Sequence, residues 1–307
     1  MKAIRIHGYG QDLVLDEIPV PDIGPGDVLV RTNVASFNPL DVKLQSGAMH
    51  DFFPLTFPYT LGTDLSGTVQ RVGSNVTGWH EGDQVIARVD PTSGGAFAEF
   101  VATPAAHVAA APTTVSLENA AGIPTVACTA WKALFENADL KAGQSILVHA
   151  GAGGVGSFAI QFAHHTGARV IATASGNGID IARRLGADQV IDYTSQDFTK
   201  AVSGVDVVLD TLAGETQTRS FTVLRPGGTL VATPYPPDEE VAKARGVRAS
   251  FVFYQSDGTL LQNVVGKIDA DRTTVLVDRT FPFTSFSDAF TYQASGRARG
   301  KILVSVA

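Results

Sequence analysis

The sequence predicts an α/β protein with a β-rich first domain and a second domain built on a doubly wound, mostly parallel sheet. Three observations support this prediction. Short apolar runs separated by turn residues fill the first hundred residues, strand and helix patterns alternate after about Pro112, and a glycine-rich loop joins one of these strands to a helix. A chain of 307 residues is also long enough for about two domains and a core that needs no disulfide.

Composition and charge exclude several classes of protein. The single cysteine, Cys128, excludes an intrachain disulfide and any metal site built from several cysteines. The formal charge of −7 argues against sequence-independent nucleic-acid binding, which needs a clustered basic field. The N-terminus lacks the apolar segment of a secretory signal, and glycines and polar residues interrupt the most apolar window, residues 146–163. We therefore expect a cytoplasmic protein that binds neither nucleic acid nor membrane.

The first domain is placed at residues 1–115. Its predicted strands lie at 3–7, 28–34, 67–72, 84–89 and 96–101, and turns rich in glycine, proline and asparagine separate them. Short strands at irregular spacing indicate a small barrel-like domain.

The second domain is placed at residues 116–255. Its predicted strands lie at 145–150, 169–173, 189–192, 205–210, 229–232 and 248–253. Predicted helices begin after the N-cap Ser116 and cover 129–137, 155–165, 179–185 and 216–224. Such alternation indicates βαβ units on a parallel sheet. Residues 256–307 return to mixed short elements and end in an apolar strand, 301–306, which we expect to join the first domain.

The strongest local motif is a G-x-G-x-x-G sequence between the strand at 145–150 and the helix at 155–165. Glycine is needed there for a tight turn, for close approach of a pyrophosphate to the backbone, and for close helix–strand packing. The helix N-terminus then holds the anion. This context predicts a Rossmann domain that binds a dinucleotide, and the alternative is a simple glycine-rich turn. The predicted contacts are Gly151, Gly153, Gly154, Val155 and Gly156.

The end of the second strand of this domain favours NADP(H) over NAD(H). An NAD site usually places an acid there to bind the ribose 2′-hydroxyl, whereas the first acid here is Asp180. Ser175 and Asn177 could instead donate hydrogen bonds to a 2′-phosphate. The alternative is that these two residues only form a turn.

Further motifs occur in order along the whole chain. They are N-P-L-D at 38–41, L-G-T-D-L-S-G-T-V at 61–69, G-G-A-F-A-E at 94–99, L-G-A-D at 185–188, P-G-G at 226–228 and R-G-K-I at 299–302. Together they resemble the zinc-independent quinone oxidoreductase branch of the medium-chain dehydrogenase/reductases, which includes zeta-crystallin and alkenal/enone reductases. The resemblance implies a GroES-like catalytic domain, an inserted Rossmann domain and a C-terminal return to the first domain.

The resemblance also argues against a metal. Zinc-dependent members of this superfamily carry a cysteine where this sequence has Asn38, a His-Glu pair at Thr63 and Asp64, and a second cysteine close to Thr125. Catalytic zinc needs three protein ligands, and of these residues Asp64 alone could serve. Without a Lewis acid, the expected substrates carry a carbon already activated by conjugation, as quinones and α,β-unsaturated carbonyls do.

The resemblance finally implies roles for individual residues. Asn38 would orient the nicotinamide end or the substrate oxygen. Tyr59 and Tyr254 are candidates to supply the proton or to stabilise the developing enolate, with a structural role as the alternative for each tyrosine. Further implied cofactor contacts are Asn38, Thr125, Thr129, Tyr193, Leu212, Ala213, Phe251, Val252 and Phe253. A lysine common in NADPH-using relatives is missing from residues 176–178, which weakens the NADP(H) prediction without reversing it.

The predicted protein is an NADPH-dependent reductase of a small-molecule quinone or enone, and a homodimer is one assembly that the resemblance allows. One alternative is a catalytically idle, NADPH-binding redox sensor or structural protein of the crystallin type. Another is a zinc alcohol dehydrogenase, which the residues at the ligand positions disfavour.

Overall fold

A computed structural model describes residues 1–306 of the chain. Its strands are β1 (Lys2–Ile6), β2 (Val14–Glu17), β3 (Asp27–Ser36), β4 (Tyr59–Thr60), β5 (Asp64–Val72), β6 (Gln84–Arg88), β7 (Phe100–Pro104), β8 (Val108–Ala110), β9 (Ser145–Val148), β10 (Arg169–Ala174), β11 (Gln189–Asp192), β12 (Val205–Asp210), β13 (Leu224–Ala232), β14 (Arg248–Phe251), β15 (Val277–Pro282) and β16 (Lys301–Ser305).

The α-helices of the same residues are α1 (Pro39–Ser46), α2 (Leu117–Ala120), α3 (Pro124–Trp131), α4 (Gly154–Thr166), α5 (Gly178–Arg184), α6 (Phe198–Ala201), α7 (Gly214–Ser220), α8 (Glu239–Ala244), α9 (Gly258–Asp271) and α10 (Phe286–Ala294). A π-helical turn, Lys132–Asn137, continues α3. The predicted α/β class is confirmed. In the described part of the chain, no helix combines the length and the apolar character needed to cross a bilayer.

Two compact units divide the chain. One unit joins Met1–Thr125 to the chain from Gln255 onward, and the other is Val126–Tyr254. The boundary between them lies inside α3, about ten residues after the boundary placed at 115/116 from the sequence. The reason is that α2, just after that predicted boundary, packs against β3 and β5 of the first unit.

The first unit contains two sheets. The larger follows the order β15-β16-β3-β5-β6-β8, with β7 also paired to β3, and the smaller follows β2-β1-β4. Strand β16 lies between β15 and β3, so the end of the described chain completes this sheet. Buried aromatic rings form the centre of the core, with ring centroids 4.4 Å apart for Phe37 and Phe97 and 4.7 Å apart for Phe97 and Phe286.

The second unit is a single parallel sheet in the order β11-β10-β9-β12-β13-β14. Numbered within the unit, this is the 3-2-1-4-5-6 order of a doubly wound dinucleotide-binding sheet. The order reverses between β9 and β12. In such sheets ligands bind outside the carboxyl ends of the strands at this reversal.

Three local predictions differ from the structure. The strand predicted at 96–101 is displaced to β7, because residues 97–99 hydrogen-bond individually to Ile4, Leu61 and Lys2 instead of forming a ladder. The helix predicted at 216–224 ends at Ser220, since Leu224 already begins β13. The region after 256 holds the 14-residue helix α9, where short elements were expected.

Candidate active site

The glycine loop lies between β9 and α4, at the carboxyl edge of the parallel sheet. A Cβ atom on Gly156 would lie 2.2 Å from the carbonyl oxygen of Ala150, so a larger residue there would force the helix and the loop apart. A Cβ atom on Gly151 would lie 2.9 Å from the Cβ atom of Ala172 on β10. These two glycines are therefore needed for close packing.

Gly153 differs from the other two glycines. It is the N-cap of α4, with φ −85° and ψ 177°, angles that residues other than glycine adopt readily. A Cβ atom there would have the carbonyl oxygen of Ala150, at 3.2 Å, as its nearest contact. No side chain among residues 1–306 caps α4. The N–H groups of its first turn are therefore available to an anion, and the helix dipole favours negative charge at the same place.

A buried polar network lies beside the loop. His149, which directly follows β9, is 1% exposed. Its Nδ1 lies 3.2 Å from the hydroxyl of Thr173, and its Nε2 lies 2.9 Å from the hydroxyl of Ser220. Ser220 donates its own proton to the Thr216 carbonyl, and Thr173 accepts the N–H of Ala150, so the tautomer protonated at Nε2 satisfies the network. Burial lowers the pKa of His149 to about 4, which keeps the ring neutral near pH 7.

Hydroxyl groups stand at the end of β10, where the ribose is expected. The Ser175 hydroxyl donates to that of Tyr193 at 2.9 Å, and Tyr193 is 59% exposed. Asn177 is the exposed N-cap residue of α5. Asp192, which ends the neighbouring strand, has its carboxylate hydrogen-bonded by the N–H and hydroxyl of Thr194 at 3.0 and 2.7 Å. The structure thus brings the two predicted phosphate donors, Ser175 and Asn177, and the implied cofactor contact Tyr193 to one exposed edge.

The loop after β12 is held by a buried carboxylate. Asp210 accepts the N–H groups of Leu212 and Ala213 at 2.9 and 3.1 Å, and its other oxygen accepts the side-chain amide of Gln217 at 3.0 Å. These bonds hold Ala213 at φ 65°, which residues other than glycine seldom adopt. Because β12 pairs with β9, Leu212 and Ala213 lie at the same sheet edge as the glycine loop.

The other predicted cofactor residues of the second unit are more dispersed. Phe251 ends β14, which β13 separates from β12. Val252 is buried and donates its N–H to Ala232 at 2.9 Å, whereas Phe253 is 50% exposed. Thr129 lies in α3 and is 9% exposed. Their contact with a cofactor stays a prediction.

The first unit contains a buried cluster of polar side chains. We call it the polar cluster; its members are Asn38, Asp41, Thr63, Asp64, Arg88, Thr125 and Lys301. Asn38 donates from Nδ2 to the Thr63 hydroxyl at 3.3 Å and to Asp64 Oδ2 at 3.0 Å. Asp64 also accepts the N–H and the hydroxyl of Thr125, at 3.1 and 2.6 Å. The residues that stand at the zinc-ligand positions of zinc-dependent members are therefore neighbours in the polar cluster.

Lys301 places an ammonium group inside the polar cluster. Its Nζ donates to the Phe37 carbonyl and to Asn38 Oδ1, both at 2.7 Å, and lies 3.7 Å from Asp64 Oδ2. The side chain is 3% exposed. Burial lowers the pKa of Lys301, and the carboxyl groups of Asp64 and Asp41 oppose that shift.

Arg88 is the second cation of the polar cluster and is 5% exposed. It lies directly opposite Asp64 in the β5–β6 pair. Its Nε donates to the Thr125 hydroxyl at 3.2 Å, and one terminal nitrogen donates to the Ser256 hydroxyl at 3.0 Å. The Thr125 hydroxyl is thus held between a carboxylate and a guanidinium.

Asp41 is the second acid of the polar cluster and is fully buried, at 0% exposure. Its Oδ2 accepts the N–H of Asn38 at 2.7 Å, and no residue in the described chain hydrogen-bonds its Oδ1. Burial raises the pKa of Asp41 to about 7; the Asn38 N–H opposes this shift, and the carboxylate of Asp64 adds to it.

The two candidate tyrosines lie in different units. Tyr59 is 3% exposed and its hydroxyl donates to the Pro91 carbonyl at 2.7 Å. Burial also raises its pKa above the usual range. A proton donor at Tyr59 would have to give up that hydrogen bond, so these contacts favour a structural role for it. Tyr254 is 8% exposed, and its role stays a prediction.

Sequence reasoning missed several residues that organise these sites, namely Lys301, Arg88, Asp210 and His149. For Lys301 and Arg88 the sequence did contain a signal. Lys301 directly precedes the apolar run I-L-V, and Arg88 follows V-I-A, so each charge stands at the end of a strand whose neighbours are buried. A lone charge in such a run needs a partner inside the protein.

Comparison with known proteins gives consistent matches. The alcohol dehydrogenase GroES-like domain family matches residues 24–113, and the zinc-binding dehydrogenase family matches residues 185–304. The mitochondrial NAD(P)H oxidoreductase RTN4IP1 of Mus musculus is 32% identical, over 100% of this chain and 89% of its own length. The chloroplastic NADPH-dependent alkenal/one oxidoreductase of Arabidopsis thaliana is 35% identical, over 99% and 79%. A quinone oxidoreductase structure from Coxiella burnetii, 32% identical, superposes with a TM-score of 0.92 over 100% of this chain and 99% of that one.

The description of the second family raises the question of zinc, and the polar cluster does not fit that metal. Catalytic zinc takes three ligands of the His, Cys or carboxylate kind. Here Asn38 and Thr125 stand at two of the ligand positions, and the Asn38 amide oxygen already accepts a bond from the Lys301 ammonium. Within residues 1–306, no group of three or more His, Cys, Asp or Glu side chains is arranged to hold a metal ion.

Proposed function

Because the chain belongs to the quinone oxidoreductase branch of the medium-chain dehydrogenase/reductase superfamily, we propose that it reduces quinones or α,β-unsaturated carbonyl compounds with NADPH. The observation that carries the proposal is the glycine loop at the strand-order reversal of a 3-2-1-4-5-6 sheet, beside a ribose edge that presents hydroxyl groups. The relatives named above carry NAD(P)H or NADPH oxidoreductase and quinone oxidoreductase as their names.

NADPH would supply a hydride to the β-carbon of an enone or to a quinone ring, and water or the Tyr254 hydroxyl would supply the proton that completes the reduction. The protein's part is to bind and orient both molecules. The first turn of α4 would hold the pyrophosphate, and Ser175, Asn177 and Tyr193 would donate to the 2′-phosphate. Leu212 and Ala213, held by Asp210, would line the nicotinamide end of the site.

For the catalytic residues, we propose Asn38 and Tyr254. Both amide hydrogens of Asn38 are donated within the polar cluster, so a reactant would meet its Oδ1, which has one lone pair beyond the one that accepts from Lys301. Tyr59 has no equivalent support, since its proton is donated to Pro91. The cytoplasmic location and the homodimer also stay predictions, tested by cell fractionation and by light scattering of the purified protein.

The test is an anaerobic screen of NADPH oxidation against quinones, alkenals and enones, repeated with NADH. We expect turnover with at least one of these classes and a preference for NADPH. The matched control is the Gly153→Val variant, which should lose turnover together with cofactor binding. Tight NADPH binding without oxidation by any class would instead favour the idle, redox-sensing alternative.

A further inference from the structure

The Lys301 ammonium stands among the positions that hold zinc in metal-dependent members of the superfamily. It is within hydrogen-bond distance of Asn38 Oδ1 and lies 3.7 Å from Asp64, and Asn38 and Asp64 both stand at ligand positions. We propose that Lys301 is the resident cation of the polar cluster, in place of a metal, and that it positions the Thr125 hydroxyl for the reduction through Asn38 and Asp64. The catalytic part of this inference rests on the proposed function.

The hydrogen bonds form a continuous path from the ammonium to Thr125. Because Lys301 donates to Asn38 Oδ1, the amide nitrogen of Asn38 must point the other way, toward Asp64. Asp64 Oδ2 accepts from that nitrogen and from the Thr125 N–H, and Oδ1 accepts from the Thr125 hydroxyl. The cation therefore fixes the amide, the amide fixes the carboxylate, and the carboxylate fixes the backbone and side chain of Thr125.

Charge explains why this place needs a cation. Asp64 is 0% exposed, and a buried carboxylate without a positive partner carries a large desolvation penalty. Arg88 is the other cation of the cluster and bonds to the Thr125 hydroxyl through Nε at 3.2 Å, whereas Lys301 is the cation that donates to Asn38 Oδ1. Removing the ammonium would leave Asn38 Oδ1 without this donor. The side-chain amide of Asn38 could then rotate and exchange the positions of Oδ1 and Nδ2.

Thr125 is the member of the polar cluster through which loss of the Lys301 ammonium would affect the reduction. It is only partly buried and is the last residue of the first unit before the chain enters the second. Its contact with the nicotinamide is the part of the inference that rests on the proposed function. The glycine loop belongs to the other unit and shares no residue with the polar cluster. Because most of the proposed NADPH contacts belong to the other unit, loss of the cation should lower kcat much more than the affinity for NADPH.

The experiment is the Lys301→Ala variant with and without added n-propylammonium, which replaces the lost methylenes and the charge. We expect the apo Tm of this variant to fall and its kcat to drop about tenfold or more, with NADPH Kd changed less than about twofold. Saturating n-propylammonium should restore both Tm and kcat, whereas n-propanol at the same concentration should restore neither. The matched control is Lys267→Ala, since Lys267 is 32% exposed and pairs with Asp271 in α9; this variant should show no loss and no response to the amine.

A second variant covers the case in which Lys301→Ala does not fold. Lys301→Met fills most of the same volume without charge, and we expect it to lose turnover and not to respond to the amine. Wild-type kcat in either variant would overturn the proposal, as would stoichiometric zinc in the unmodified protein. Recovery of Tm without recovery of kcat would overturn the positioning role. If none of the substrate classes supports NADPH oxidation by the unmodified protein, the proposed function fails. The effect of n-propylammonium on the Tm of Lys301→Ala still decides whether the cation stabilises the polar cluster.

Discussion

Gly153 offers a substitution that separates cofactor binding from folding. In Gly153→Val the backbone keeps ordinary angles, φ −85° and ψ 177°, and the new Cβ atom meets only Ala150, with its carbonyl oxygen at 3.2 Å. In G-x-G-x-x-G loops the second glycine is where the pyrophosphate comes close to the backbone, so a valine side chain would occupy space that the phosphate needs. The variant should therefore fold and lose affinity for NADPH.

The size of the loss follows from the contacts at stake. A hydrogen bond to a charged group contributes about 1.5–3 kcal/mol, so losing one phosphate contact lowers NADPH affinity by about 2 kcal/mol, or roughly thirtyfold. In the apo protein the neighbouring carbonyl has to move only a few tenths of an ångström, and replacing glycine at an N-cap costs about 1 kcal/mol. Gly156→Ala provides the contrast, because its Cβ atom would lie 2.2 Å from the same carbonyl oxygen and should destabilise the apo protein more.

The assay is fluorescence titration with NADPH together with thermal unfolding of the apo protein. Gly26→Val serves as a matched control, since nothing lies within 4 Å of a Cβ atom at Gly26 and its φ is ordinary; it should change neither measurement. A folded Gly153→Val protein that binds NADPH as tightly as the parent would refute the assignment of the loop. Apo destabilisation as large as that of Gly156→Ala would contradict the local geometry.

Three other predictions test different parts of the molecule. Replacing Ser175 with Asp should weaken NADPH about tenfold by repulsion of the 2′-phosphate, with NADH unaffected, and fluorescence titration of both cofactors checks this. Asp41 keeps its proton in the folded state up to about pH 7 but loses it near pH 4 when unfolded, so its contribution to stability falls by about 4 kcal/mol as pH rises through that window. Because the lowered pKa of His149 gives a slope of the opposite sign, the measurement is the difference in urea-unfolding free energy between the parent and Asp41→Asn at several pH values, which should change by this amount. Turnover should survive prolonged chelation, and elemental analysis should find far less than one zinc per chain, because Lys301 fills the cluster; turnover that stops on chelation and returns with zinc would contradict this.

The sequence was most informative where the chemical requirement is local. The glycine loop, the strand before it and the helix after it lie within about twenty residues, so one segment carries the whole signal. The N-cap Ser116 was predicted for the same reason, and its hydroxyl accepts the N–H of Asn119 at 3.3 Å. Helix α9 was within reach too, because Leu261, Val264, Val265 and Ile268 recur at helical spacing and are buried.

The polar cluster was not predictable in this way. Lys301 and Asn38 are separated by 263 positions, and no periodicity relates residues so far apart. The sequence showed which zinc ligands are replaced, but only the fold shows that an ammonium stands among the replacements. Tyr59 illustrates the same limit, since its hydroxyl donates to a backbone carbonyl, and no side-chain pattern specifies such a partner.

The position of β16 has a consequence for the order in which the protein is made. During synthesis from the N-terminus, β3, Asn38 and Asp64 are all present long before Lys301, yet β3 needs β16 as a sheet neighbour and Asp64 needs the ammonium that β16 carries. The second unit, by contrast, is one continuous segment whose sheet is complete at β14. Domains generally fold as units while the chain emerges. The nucleotide-binding unit is therefore free to form first on the ribosome, whereas the polar cluster lacks its Lys301 ammonium until β16 has been synthesised.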